Sequence, residues 1–169
     1  IDKDHIKPHN LSRHVAYARH IGEPKVTTVS ELHSQAVDNA STITGLVLDA
    51  TDLLKNPAPN VLRYSTLVID ASTTLEYPRA SSADGNLSRH ISVFITPDGN
   101  GSVLLAEDAQ RTIRLRTLEA QYYRALIQND IGKTHLTKKI KTFWSGSGCR
   151  DISVVLPYSR IIGHASTLA

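Results

Sequence analysis

The chain has 169 residues, 40% of them apolar and 21% charged, with a formal net charge of +3. Such a composition describes one globular domain with room for a core. It excludes a membrane-spanning helix, because no apolar run approaches the roughly 18 residues that a span needs. It also argues against a nucleic-acid surface built on net charge: the basic residues are dispersed, apart from Lys138-Lys139-Ile140-Lys141, which reads as a solvated face. The single cysteine, Cys149, rules out an internal disulfide and fits a reducing cytoplasm. The absence of any methionine leads to the expectation that these residues are a segment of a longer or processed product.

In chain order, Ile1-Asp2 reads as the end of a strand. Residues 10–20 predict a short helix begun by Asn10, an accepted N-cap type. Pro24 opens a second helix reaching about Asn39, because Val26, Val29, Leu32 and Ala36 recur at helical spacing. Residues 43–48 are a short apolar run, and 53–60 form a proline-containing connector. Residues 66–70 predict a central parallel strand covered on both faces, since the run is continuously apolar and ends in Asp70. Residues 80–89 read as a turn-rich, mobile loop. Residues 91–96 and 102–106 flank Pro97-Asp98-Gly99-Asn100-Gly101, a hairpin signal. Residues 112–128 predict a helix with Leu115, Leu118, Tyr122, Ala125 and Leu126 on one face. Residues 130–145 read as irregular, with Trp144 anchoring them. Beyond them residues 151–156 read as a strand or a helix, the favoured reading being a helix capped at Asp151 and kinked or restarted at Pro157. The alternation predicts an α/β, Rossmann-like fold: a mostly parallel sheet flanked by helices, with a late antiparallel hairpin. Ligands of such sheets bind beyond the carboxyl ends of strands, which sets Asp2 and Asp70 on one rim.

Asp2 at a strand end suits a ribose, because a carboxylate accepts from two hydroxyls. Asn10, Arg13 and Lys25 follow at fixed offsets, and an Arg fork with a Lys point charge suits a triphosphate better than a neutral nicotinamide. Taken singly these are ordinary surface residues; their order behind a strand end is what points to a nucleotide. Asp4 reads as a turn acid, or as one that orients Arg13. No glycine-rich dinucleotide fingerprint is present: Leu104 stands at the third position after Gly99 and Gly101, and Asp151 after Gly146 and Gly148. His5, His9, His14 and His20 lie close in sequence, but Pro8 interrupts them and no cysteine is nearby for a zinc site. Cys149 has two readings. It is an inert lone cysteine, or a nucleophile favoured by Arg150 and small flanking residues and opposed by Asp151.

Ile1-Asp2-x-Asp4, Asn10-x-x-Arg13 and Gly22-x-x-Lys25, followed by Asp70 and Ser147-Gly148-Cys149-Arg150-Asp151, resemble the ThiF/MoeB-type adenylating domain of the ubiquitin-activating-enzyme superfamily. The likeness runs in order along most of the chain and is specific at residues 1–25, 66–79 and 146–156. It is greatest to bacterial members, some fused to a conjugating-enzyme-like domain and serving antiphage conjugation. The resemblance implies one adenylation domain over residues 1–169, with ATP and Mg²⁺ as its cofactors. By it, Asp2 binds the ribose, Asn10 and Arg13 contact phosphates, Lys25 sits near the α- and β-phosphates, and Asp70 holds the metal. A protein C-terminal carboxylate would be adenylated and passed to Cys149 as a thioester.

The implied partners are the tail of a ubiquitin-like or conjugated protein, a conjugating-enzyme-like partner or fused domain, and a second copy of the chain; neither membrane nor nucleic acid is expected, and the location is cytoplasmic. Arg79 matches a family arginine near the nucleotide rim. Thr73 stands where many relatives carry a second, metal-binding acid. The first strand and glycine loop are expected upstream or from another chain, so the 169 residues alone are expected to be inactive. Two alternatives stay open: an adenylating relative without a thioester, acting on a sulfur carrier or tRNA base, and a catalytically silent partner subunit.

Overall fold

The computed structural model describes residues 1–37, 43–56, 61–72, 74–96, 98–130, 132, 142–144, 152–154 and 156–169. Strand β1 (Val68–Asp70) pairs in parallel with β2 (His90–Ile95), and β2 pairs antiparallel with β3 (Ser102–Ala106). Parallel strands need a crossover, and helix α4 (Glu76–Ser81) lies within it. The chain is therefore α/β, with a small three-stranded mixed sheet flanked by helices. Of the pairings among the described residues only β1–β2 is parallel; β4 (Thr142–Trp144) and β5 (Ile152–Val154) form a second, antiparallel pair.

The expected hairpin is present, and its turn is knotted by side chains. Asp98 Oδ1 accepts from the Thr96 hydroxyl at 2.6 Å and from Asn100 N at 3.1 Å. Gly99 holds φ +67°, the left-handed region glycine enters without penalty, and a Cβ there would collide with Leu156.

Helices α1 (Lys25–Ala36), α2 (Ala50–Lys55), α3 (Val61–Tyr64), α5 (Leu115–Gln128) and α6 (Tyr158–Leu168) complete the described elements. Asp49 caps α2, taking Thr51 N at 2.9 Å. Helix α5 packs on β2, β3 and α4, with Phe94 meeting Tyr122 edge-on at 5.6 Å between ring centres. Helix α6 lies against β3. A core cluster of Leu62, Tyr77 and Leu87 is flanked by Ala50, Leu53, Leu54 and Val68.

Several expectations are corrected. Among the described residues strand β1 lies at the sheet edge, and Ile69 remains 63% exposed; a continuous apolar run states that a strand is apolar, and does not state which neighbours cover it. Residues 10–20 form no α-helix. They lie between two 3₁₀ turns, Pro8–Asn10 and Ala18–His20. Here Asn10 Oδ1 turns back to accept Lys7 N at 2.8 Å, and His14 Nδ1 accepts Ala16 N at 3.1 Å. Such local side-chain bonds compete with helix. Ile1 and Asp2 belong to no strand, although Asp2 N donates to Leu46 O at 3.2 Å. Of the two readings of residues 151–156, the strand and not the favoured helix is found, over residues 152–154, in keeping with β-branched Ile152 and Val154, and α6 starts after Pro157. The segment expected to be a mobile loop buries Ser81, Ser82 and Leu87. Among the described residues no helix is long and apolar enough to cross a membrane.

Candidate functional site

The first 25 residues fold back on themselves as a two-stranded clip. His5 bridges Pro24, Ile6 N donates to Glu23 O at 2.8 Å, Gly22 N to Ile6 O at 2.9 Å, and Lys25 N to Asp4 O at 2.9 Å. Gly22, at φ +95°, makes the return possible. The clip sets the first residue of α1 beside the two opening acids. Lys25 Nζ donates to Asp4 Oδ2 at 2.9 Å and stands 3.7 Å from Asp2 Oδ2, while Asp4 N donates to Asp2 Oδ1 at 2.8 Å. The Lys25 side chain is 22% exposed, Asp2 40% and Asp4 56%, so solvent reaches the acids more readily than the ammonium.

Two histidines feel the Lys25 charge. Burial first, and then Arg13, Lys7 and Lys25, hold His9 below its ordinary range. Burial and Lys25 also lower His14, against an opposing pull from Asp2. Arg13 and Lys25 thus act on one imidazole, and Lys25 and Asp2 on another. Asn10 is buried, with its amide oxygen occupied by Lys7 N. Asp2 and Lys25 are thus brought together, the charges of Arg13 and Lys25 both reach His9, and Asn10 is tied to Lys7. Asp4, which reads in the sequence as a turn acid or as one that orients Arg13, accepts a hydrogen bond from Lys25.

Asp70 belongs to a different cluster. It ends β1, buried, with Oδ1 accepting Ser72 N at 3.0 Å and Oδ2 accepting the Ser92 hydroxyl at 3.1 Å. Its charge acts on Tyr77 and His90. His90 is fully buried: Nδ1 lies 2.7 Å from Ser88 O and Nε2 2.9 Å from the Tyr77 hydroxyl. A carbonyl can only accept, so the proton belongs on Nδ1, and Nε2 accepts from Tyr77. Burial lowers His90, assisted by Arg111, and prevails over the Ser88 bond and the Glu107 and Asp70 charges; the ring is neutral. Burial also raises Tyr77, and Asp70 and Glu107 add to the rise against Arg111.

Behind His90 stands Glu107, which accepts His90 N at 3.0 Å, Leu115 N at 3.1 Å and Arg111 Nε at 2.7 Å. Burial would raise its carboxyl, but these bonds outweigh burial and lower it. Arg111, in the left-handed region at φ +57°, also donates to Leu87 O at 2.8 Å and Asp84 O at 3.1 Å. The network joins α4, β2, the start of α5 and the 81–87 segment around the Asp70 strand.

Sequence reasoning passed over Tyr77, His90, Glu107 and Arg111. The available signals were the i,i+4 spacing of Glu107 and Arg111 and the polar His90 and Ser92 on one face of an otherwise apolar strand. Arg79 pairs with Glu119 of α5, with Nε donating to Oε2 at 3.0 Å. Thr73, Cys149, Arg150, Asp151 and the 138–141 basic run lie outside the described residues, as does the Trp144 side chain.

An acid beside a lysine offers an acceptor for hydroxyls and a cation for phosphate, two of the groups that a nucleotide uses. For a metal, Asp70 retains capacity, because two hydrogen bonds leave about half of a carboxylate's acceptor sites open. Among the described residues no three His, Cys, Asp or Glu side chains group as a metal site. Compared with models of protein families and with curated proteins, the chain matches neither a family model nor a curated protein.

Proposed function

We propose that the chain is an ATP-dependent activating domain of ThiF type, which adenylates the C-terminal carboxylate of a ubiquitin-like or otherwise conjugated protein. The observation that supports this reading above all is the convergence of Asp2 and Lys25, 3.7 Å apart, with the charges of Lys25 and Arg13 both acting on His9. Asp2 would accept the ribose hydroxyls, and Arg13 and Lys25 would meet the phosphates. In the same reading Asp70 would hold Mg²⁺, which would supply charge neutralisation to the phosphates, although the hydrogen bonds of Asp70 run to Ser72 and Ser92 and not to the Asp2–Lys25 group.

A carboxylate oxygen of the protein tail attacks the α-phosphorus, the bond to the β-phosphate oxygen breaks, and pyrophosphate leaves. The Cys149 thiolate would then attack the acyl carbon and expel AMP. Positioning and charge stabilisation account for chemistry of this kind, so a site of cations and acids suffices. The finer fold expectation, a Rossmann-like and mostly parallel sheet, belongs to the same proposal, with β1–α4–β2 as its parallel unit. So do a cytoplasmic location, a conjugating-enzyme-like partner and a homodimer.

The test is ATP binding by calorimetry and pyrophosphate exchange in the intact protein with a panel of ubiquitin-like proteins. Arg13→Ala and Lys25→Ala are each expected to abolish both while circular dichroism is unchanged; exchange retained in either variant refutes the assignment. Cys149→Ala separates a thioester-forming enzyme from an adenylating relative: exchange persists, and a thiol-sensitive covalent adduct disappears only in the former.

One observation favours the silent-subunit reading. Asp70 hydrogen-bonds Ser72 and Ser92 and its charge acts on Tyr77 and His90, a set separate from the Asp2–Lys25 pair. ATP binding without exchange, restored by adding a second, active chain, would select that reading.

A further inference from the structure

We propose that Asp4 is a resident counter-anion of Lys25, which an incoming phosphate must displace. This rests on the nucleotide reading of the clip and adds a residue that sets how strongly the clip holds phosphate. The geometry is specific. Of the two acids beside Lys25 Nζ, only Asp4 is within hydrogen-bond distance, at 2.9 Å; Asp2 stands at 3.7 Å.

The backbone keeps the pair in register, because Lys25 N donates to Asp4 O at 2.9 Å and the His5–Pro24 bridge follows directly. The ammonium is therefore presented to the Asp4 carboxylate whether or not another anion is present. Asp2, whose Oδ1 is taken by Asp4 N, is left to its proposed ribose role. A polyanion approaching Lys25 meets a charge already neutralised and a carboxylate that repels it. Removing that carboxylate frees the donor and lifts the repulsion. For a solvent-reached ion pair this corresponds to about two- to five-fold tighter phosphate binding.

The experiment reads protection of Lys25 from acetic anhydride by inorganic pyrophosphate, followed by mass spectrometry on the intact protein. Wild-type protein, Asp4→Asn, Asp4→Glu and Asp52→Asn are compared at one ionic strength. The half-protecting pyrophosphate concentration is expected to fall about two- to five-fold in Asp4→Asn. It should stay at the wild-type value in Asp4→Glu, which keeps the charge, and in Asp52→Asn, which removes the same charge from the Lys55 pair. Asp4→Ser serves as a second variant should Asp4→Asn lose its circular dichroism signal. Protection in wild type with an unchanged or raised half-point in Asp4→Asn overturns the counter-anion role and leaves the nucleotide reading standing. A half-point that falls equally in Asp52→Asn overturns it too, as a net-charge effect. No protection in any variant removes the nucleotide reading and the inference together.

Discussion

Replacing Arg111 with Met is expected to be among the most destabilising single changes in this chain. Glu107 is held at 1% exposure by Arg111 Nε at 2.7 Å, His90 N and Leu115 N. Arg111→Met keeps much of the side chain's volume, but it leaves the Glu107 carboxylate buried without its counter-charge. It also strips a donor from the carbonyls of Leu87 and Asp84. Breaking one side of a buried pair in this way costs about 3–5 kcal/mol, a large share of the roughly 5–15 kcal/mol that holds a typical domain folded.

The assay is urea unfolding followed by circular dichroism at a series of pH values. The sign follows from Glu107, whose folded carboxyl lies below its ordinary 4.5. Its contribution is fully present above that unfolded value and is lost as pH falls through the folded one. The gap between wild type and Arg111→Met should therefore be widest near neutrality and narrow as pH is lowered from 4.5. A loss under about 1 kcal/mol at pH 7, or a gap that does not change with pH, would refute the argument that this pair is charged and mutually dependent.

The remaining predictions concern the same interior. Tyr77→Phe removes the hydroxyl that satisfies His90 Nε2 and should cost about 1–3 kcal/mol; an unchanged urea midpoint would count against the assigned tautomer. His90 is buried neutral, below its ordinary 6.5, so its contribution is complete above pH 6.5 and declines as pH falls toward its folded value. Wild-type stability should accordingly drop below pH 6.5, and His90→Gln should flatten that part of the profile. A His90 ring resonance titrating near 6.5 by NMR would contradict the burial argument.

Much of the architecture was legible in the residues because it is local. The 3.6-residue recurrence of Leu115, Leu118, Tyr122 and Leu126 predicted α5, and Pro24 with Val26, Val29 and Leu32 predicted α1. Asp98, Gly99 and Gly101 predicted a hairpin because a turn is built from its own side chains and φ angles. The proximity of Asp2 and Lys25 was likewise anticipated. Their meeting comes about through the return of the chain at Gly22, not through a strand end.

What depended on partners distant in sequence was decided only by the fold. Residues 66–70 announce an apolar strand, but its place at the edge of the sheet among the described residues, with Ile69 exposed, follows from which strands pair with it. Asp4 is indistinguishable from a turn acid until the clip brings it to Lys25, and Asp70 is an open carboxylate until Ser92 of the neighbouring strand reaches it. Glu107 and Arg111, four residues apart, carry nothing in the sequence that says they are buried. Burial by α4, β2 and α5 turns them into an interior charge pair, because the energy of a charge is set by what surrounds it in space and not by its neighbours along the chain.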